Sequence, residues 1–130
     1  LLLAQNEFVA AAAYGVKALT QREAAYKASL GARGGRQDPA ALAAALDLAE
    51  SQSTLGAVYR ATGAYQEALP QYQRALELRQ RSLQADHLCI AQSQSGLGEL
   101  QQSLGAYGAA LPLYQSSLAT RRRRLPAAEL

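Results

Sequence analysis

Cysteine is all but missing from this chain: Cys89 is the only one, so no internal disulfide can form. That excludes the stapled architecture of small secreted domains and sets the expectation of a reducing, cytoplasmic compartment. A single thiol and a single histidine, His87, supply too few ligands for a zinc or redox centre, so neither metal nor cofactor is expected. Val, Ile and Thr are scarce, which argues against sheet. No apolar run approaches the roughly 20 residues that a membrane-spanning helix requires. The opening "LLLAQNE" lacks the basic residues that precede a signal-peptide core, so Leu1, Leu2 and Leu3 read as part of a buried helix face. Met is absent too, and the chain opens on Leu1; the expectation is a processed or trimmed piece of something longer.

What is present is Ala, Leu, Gln, Glu and Arg, with Tyr as nearly all of the aromatic content, a helix-forming mixture. With 49% hydrophobic residues and 18% charged ones, disorder is not expected. A chain of 130 residues fits one unit, burying about two thirds of its unfolded surface. The net charge of +3 is local, because Arg121, Arg122, Arg123 and Arg124 alone carry four positive charges, and 3 − 4 leaves −1 for the remainder. A nucleic-acid surface spread over the whole chain is therefore excluded.

One phrase is written twice. "LGAVYRATGAYQEALPQYQRAL" begins at Leu55 and "LGELQQSLGAYGAALPLYQSSL" at Leu97, and 97 − 55 = 42. The same offset links Gly56 to Gly98, Gly63 to Gly105, Tyr65 to Tyr107, Ala68 to Ala110, Pro70 to Pro112 and Tyr72 to Tyr114. A period in this range signals stacked repeats. Each unit reads as two helices and a turn. Leu48, Leu55, Val58 and Tyr59 recur at helical spacing up to Thr62, and Gly63 stops the first helix. A second helix is predicted from about Gln66 past Leu83, with Ala68, Tyr72, Ala75 and Leu76 on one stripe. Pro70 and Pro112 are placed near its first turn, where a missing N–H costs little. Small residues mark the expected helix crossings, Gly56 with Ala68 and Ala75, then Gly98 with Ala110 and Ser117. Tyr65 and Tyr107 are expected to plug the gap at the turn.

The pattern resembles the tetratricopeptide repeat, and its period resembles the longer variety found in kinesin light chains and related scaffolds. The residues that carry the likeness are Leu55-Gly56, Tyr59, "GAYQEA", Tyr72 and Ala75; the second copy departs only at Gln101, where the first has Tyr59. "LQADHL", from Leu83 to Leu88, corresponds to the family's "LG-x-D-H-P" boundary, with Asp86 as the expected cap of the next helix. Upstream, "AAYGVKALTQREAAY" echoes "GAYGAALPLYQSSL" loosely, and the connector "GARGGRQDP" follows. Asp38 and Pro39 then launch a helix through "AALAAALDLAE" as N-cap and first residue. The resulting organisation is a degenerate first repeat, connector and helix start over 1–48, a repeat over 49–90, and a repeat over 91–130 that stops at the next boundary. The resemblance implies an all-α fold, an α-solenoid of stacked antiparallel helix hairpins in a right-handed superhelix, with a groove that binds another protein or peptide.

Chemistry is sparse. His87 and Cys89 stand two apart at a helix start, where their side chains diverge, so a boundary His and a packed Cys are expected rather than a nucleophile and its base. "GARGGR" lacks the Lys-Ser/Thr of a phosphate loop. Glu50, Asp47, Glu67, Glu77 and Glu99 lie scattered over helices, and the arginine run has no interleaved aromatics; both read as solvated charge. No catalytic residue is assigned. The repeat register instead puts Glu50, Ser53, Ala57, Arg60 and Ala61 on one inner face, and Gln92, Ser95, Glu99, Gln102 and Ser103 on the next. In peptide-binding relatives, asparagines just before the Leu-Gly or Leu-Ala pair hold the ligand's backbone; the corresponding residues are Ser53 and Thr54, then Ser95 and Gly96. The leading expectation is a non-catalytic scaffold that binds a polypeptide in that groove. The alternative is a structural protein that self-associates by end-to-end stacking through a terminal face of Leu111, Tyr114, Leu118 and Leu125.

Overall fold

Among the described residues, five helices follow one another: α1 (Leu2–Gly31), α2 (Pro39–Ala61), α3 (Tyr65–Ser82), α4 (Leu88–Ser103) and α5 (Tyr107–Arg124). They come from a computed structural model that describes residues 2–31 and 39–125. The connector expected over 32–38, the Asp38 cap and the Leu1–Leu3 side chains lie outside the described residues. No helix among the described residues is long and apolar enough to cross a membrane.

The helices pack in chain order, α1 on α2, α2 on α3, α3 on α4 and α4 on α5, and α2 also touches α4. This lateral progression is that of an all-α solenoid of helical hairpins, as the repeat predicts. α2 is one continuous rod of 23 residues. The helix launched at Pro39 therefore runs through residue 48 into the first helix of the next unit, since no Gly or Pro interrupts its Ala- and Leu-rich start.

Gly63 and Gly105 end α2 and α4 at φ of 81° and 80°. Around Gly63 the Ala64 N–H donates to the Tyr59 carbonyl at 2.8 Å and the Gly63 N–H to that of Arg60 at 3.1 Å. Ala106 and Gly105 do the same to Gln101 and Gln102, at 2.8 and 3.0 Å. These paired bonds absorb carbonyls that a helix end leaves open, and they require a left-handed residue that only glycine adopts without strain.

Several local expectations need correction. α3 ends at Ser82, and Leu83 is extended, so the second helix does not pass it. With Tyr65 as first residue, Pro70 is the sixth, in the second turn, and Pro112 stands likewise in α5. The missing N–H would have bonded the carbonyl four residues back, so Gln66 and Gly108 each lose a helical partner. The cap of α4 is His87, whose Nδ1 accepts from the Cys89 N–H at 3.0 Å, rather than Asp86. Asp86 lies in the preceding turn, closed by the His87 N–H on the Gln84 carbonyl at 3.0 Å. Gly56 and Gly98 also make room for rings: a Cβ on Gly56 would lie 3.2 Å from the Tyr72 ring, and one on Gly98 would lie 3.2 Å from that of Tyr114. Gly96 meets the opposite edge of Tyr72 at 3.2 Å. Tyr72 is thus held between glycines of two successive first helices. Tyr65 packs against the core, but Tyr107 is 66% exposed, because no helix follows α5 among the described residues to cover it.

Among the described residues the core falls into two clusters. One gathers Leu19, Ala45, Leu48, Ala49, Leu55, Ala75 and Leu78, the other Ala68, Tyr72, Leu76, Ile90, Leu97 and Leu100. They are related by the repeat, since Leu48 and Leu55 correspond to Ile90 and Leu97 at 90 − 48 = 42 and 97 − 55 = 42. Leu19 then matches Leu76, and Ala12 and Tyr26 match Leu69 and Leu83, each at an offset of 57, as in 76 − 19. α1 accordingly stands to α2 as α3 stands to α4, in the place of a second helix. The looser echo that aligned Tyr14 with Tyr107 is six residues out of that register, and Tyr14 faces solvent.

Candidate functional site

A groove of about 650 Å³ runs between α2 and α4. Its walls are the outward faces of two first helices set side by side, so residues one repeat apart look into the same space. Glu50, Ser53, Ala57 and Arg60 line it from α2, and Gln92, Ser95 and Glu99 from α4. Gln102 is not among the lining residues, because its Oε1 accepts from the Tyr114 hydroxyl at 3.1 Å. Ala61 and Ser103 also lie outside the groove, Ser103 donating to the Glu99 carbonyl at 3.0 Å.

These seven residues are not equally free. Arg60 Nη1 and Glu99 Oε2 lie 2.5 Å apart and tie the two helices together. Both are partly exposed, which limits such a pair to about 1 kcal/mol. Ser95 Oγ is 2.7 Å from Ser117 Oγ, and Ser117 donates to the Ala91 carbonyl at 2.8 Å. Thr54, which also lines the groove, donates to the Glu50 carbonyl at 2.9 Å. Of the four positions that in relatives carry peptide-holding asparagines, Ser53 alone has an uncommitted side chain: its Oγ is buried and has no hydrogen-bond partner. Glu50 and Gln92 remain open beside it.

Five lining residues that were not expected there, Tyr72, Arg79, Cys89, Ser93 and Arg121, come from the second helices or from packed positions. Tyr72 reaches the groove between the two glycines, and burial pushes its phenol above the ordinary 10.0, with Arg60 lowering and Glu99 raising it. Arg79, though charged, is only 9% exposed. Its guanidinium donates to Ser93 Oγ at 2.6 Å and to the Cys89 carbonyl at 3.4 Å. Arg121 lines the same space one repeat later, at 121 − 79 = 42. The arginine run is therefore not one solvated face. Arg121 turns into the groove, Arg122 and Arg123 are exposed, and Arg124 Nε donates to the Asp86 carbonyl at 3.0 Å, with Oδ2 at 3.8 Å. The repeat offset was the available signal for Arg79 and Arg121. Cys89 lines the groove beside them as a free thiol.

Of the proposed stacking face, Leu111 and Leu118 are 58% and 47% exposed, and Leu125 is half-buried. Tyr114 is shared, one side of its ring lying on Gly98 of its own hairpin.

No curated protein matches this chain. A family profile described as "Tetratricopeptide repeat" matches residues 47–123, which takes in most of α2 and all of α3 and α4, and ends in the last turn of α5. With more than half of its length in that match and its hairpins stacked at the repeat's own offset, the chain belongs to the tetratricopeptide-repeat family.

Proposed function

We propose that the chain is a non-catalytic scaffold whose α2–α4 groove holds a segment of another polypeptide, built from the 42-residue variety of the repeat similar to that of kinesin light chains. Tetratricopeptide repeats serve generally as scaffolds for protein–protein interaction. The observation that carries the reading to this groove is Ser53, a buried hydroxyl without a partner, flanked by the open side chains of Glu50 and Gln92. A buried polar group left unpaired costs about 1–3 kcal/mol, which a ligand's backbone N–H or C=O recovers when it reaches the hydroxyl. The period of 42, repeated from Leu55 to Leu97, supports the longer variety of the repeat.

The test is selection of binding peptides from a displayed library, followed by calorimetry with the unaltered chain and with a Ser53→Arg, Gln92→Arg variant. Neither side chain has a bond to lose within the chain, and Gln92 is exposed, so the chain should stay folded at about 25 °C with a cooperative circular dichroism melt while affinity falls about tenfold or more. Equal affinity for both chains would remove the groove from the proposal. A second reading, self-association through the end face, has the exposed Leu111 and Leu118 in its favour. Sedimentation velocity across a hundredfold range of concentration decides it: a rising coefficient supports stacking, and a constant one dismisses it.

A further inference from the structure

Two tyrosines at equivalent positions end on different neighbours. In the second hairpin the Tyr114 hydroxyl donates to Gln102 Oε1 at 3.1 Å. Tyr72 is the equivalent of Tyr114, and the equivalent of Gln102 is Arg60, at 102 − 60 = 42. A guanidinium only donates, so Arg60 cannot accept from the phenol as Gln102 does. Arg60 is instead engaged by Glu99 at 2.5 Å, and both charges of that pair act on the phenol. The Tyr72 hydroxyl accordingly has no hydrogen-bond partner among the described residues, although the residue is only 6% exposed and lines the groove. Side chains buried to that degree rarely leave a polar group unmatched, because nothing then offsets its desolvation. Ser53 Oγ is in the same condition in the same groove.

We infer, in a step that rests on the groove reading proposed above, that Tyr72 is a binding residue and that its hydroxyl donates to a neutral main-chain carbonyl of an extended segment of the partner. The acceptor is neutral because Glu99 already balances Arg60, and a carboxylate brought to the same point would add a second negative charge beside Glu99. It belongs to the main chain because the surroundings of the hydroxyl are small. Gly96 and Ala57 line the groove, and Gly56 and Gly96 hold the two sides of the ring, so a backbone can approach where a bulkier floor would keep it away. The segment is extended because a helix commits its carbonyls to its own N–H groups and has none left for Tyr72 or Ser53. Ser53 and Arg60 are 60 − 53 = 7 residues apart on α2. That is about 10 Å of helical rise, the length of about three residues of extended chain. One strand-like stretch can thus serve both hydroxyls.

The probe is the tightest peptide selected on the unaltered chain from a displayed library of random segments, titrated by calorimetry against that chain and against Tyr72→Phe. The substitution should weaken binding about fivefold, the effect of one hydrogen bond. The thermal midpoint should meanwhile stay level or rise, since the hydroxyl has no bond to lose in the free chain. Replacing each Asp, Glu, Asn, Gln, Ser and Thr of the peptide in turn by Ala should leave the fivefold ratio between the two chains intact, because the acceptor is main chain. Unchanged affinity in Tyr72→Phe, with a loss in the Ser53→Arg, Gln92→Arg variant, overturns the role of Tyr72 and leaves the groove reading standing. Unchanged affinity in both, or no binder at all, removes the two together. A midpoint that falls by several degrees in Tyr72→Phe also overturns the role, since the hydroxyl would then be bonded within the fold. So does a ratio that collapses with a single peptide substitution, since the acceptor would then be a side chain.

Discussion

Tyr72 and Tyr114 occupy the same place in successive hairpins, yet one ring is enclosed on two sides and the other on one. Truncating both to alanine therefore measures what the second wall is worth. Tyr72 is 6% exposed, held between Gly56 and Gly96. Removing the ring withdraws about 150 Å² from burial, or about 4 kcal/mol at ~25 cal/mol/Å². The void left between two rigid glycine backbones closes poorly, so the loss belongs in the range of about 3–5 kcal/mol. Tyr114 rests on Gly98 alone, and its hydroxyl bond to Gln102 is exposed. About half of the area term applies, giving about 2 kcal/mol with little cavity penalty. Urea unfolding followed by circular dichroism, with unchanged slopes as the check on comparability, should give midpoint shifts in a ratio of about two. Tyr72→Phe should stay within about 1 kcal/mol of the unaltered chain, since the ring carries the effect. Equal losses at the two tyrosines, or a loss below about 1.5 kcal/mol at Tyr72, would refute the claim that successive first helices clamp the ring.

Gly63→Ala should cost about 1–2 kcal/mol in thermal melts although no atom lies near the new methyl, because the penalty is the left-handed backbone itself; no loss would contradict the turn geometry. A double-mutant cycle of Arg79→Met and Ser93→Ala should give a coupling of about 1.5–3 kcal/mol, and additivity within about 0.3 kcal/mol would deny the bond. The Tyr72 phenol is raised above 10.0 by burial, so its neutral form is the one that the fold favours. That contribution is complete below the unfolded-state value and disappears as pH climbs through the raised folded value. Urea midpoints should therefore fall above pH 10 by more in the unaltered chain than in Tyr72→Phe, and parallel curves would count against it.

The parts of this fold that a linear reading reached are those where one residue type has one physical reason to be present. Gly63 and Gly105 announce helix ends because no other residue takes their backbone angle cheaply. Ala68, Tyr72 and Ala75 announce a buried stripe through spacing alone. The grip of Arg22 on Ser51, the counterpart of Arg79 on Ser93, was hidden, because α1 runs further at its end and α2 begins earlier than their counterparts, which moves it from an offset of 42 to one of 57 in the second helix. Gly56 read as a small residue at a helix crossing, and the Tyr72 ring that it faces was not legible, since a glycine's partner is known only once the ring above it is placed. Of the candidate groove residues, Glu50, Ser53 and Gln92 were found by register, but their freedom to bind was not legible. It depends on which neighbours are already spoken for, as with Ser95 by Ser117 and Gln102 by Tyr114, and those are contacts between helices.

Tyr59 packs against both core clusters, and 42 residues later the same place is held by Gln101, half-buried and polar. The first joint between hairpins is glued by a shared ring; its counterpart has no such mortar. Amide deuterium exchange should consequently advance inward from α5 in stages, and slow abruptly where Tyr59 couples the two neighbouring layers.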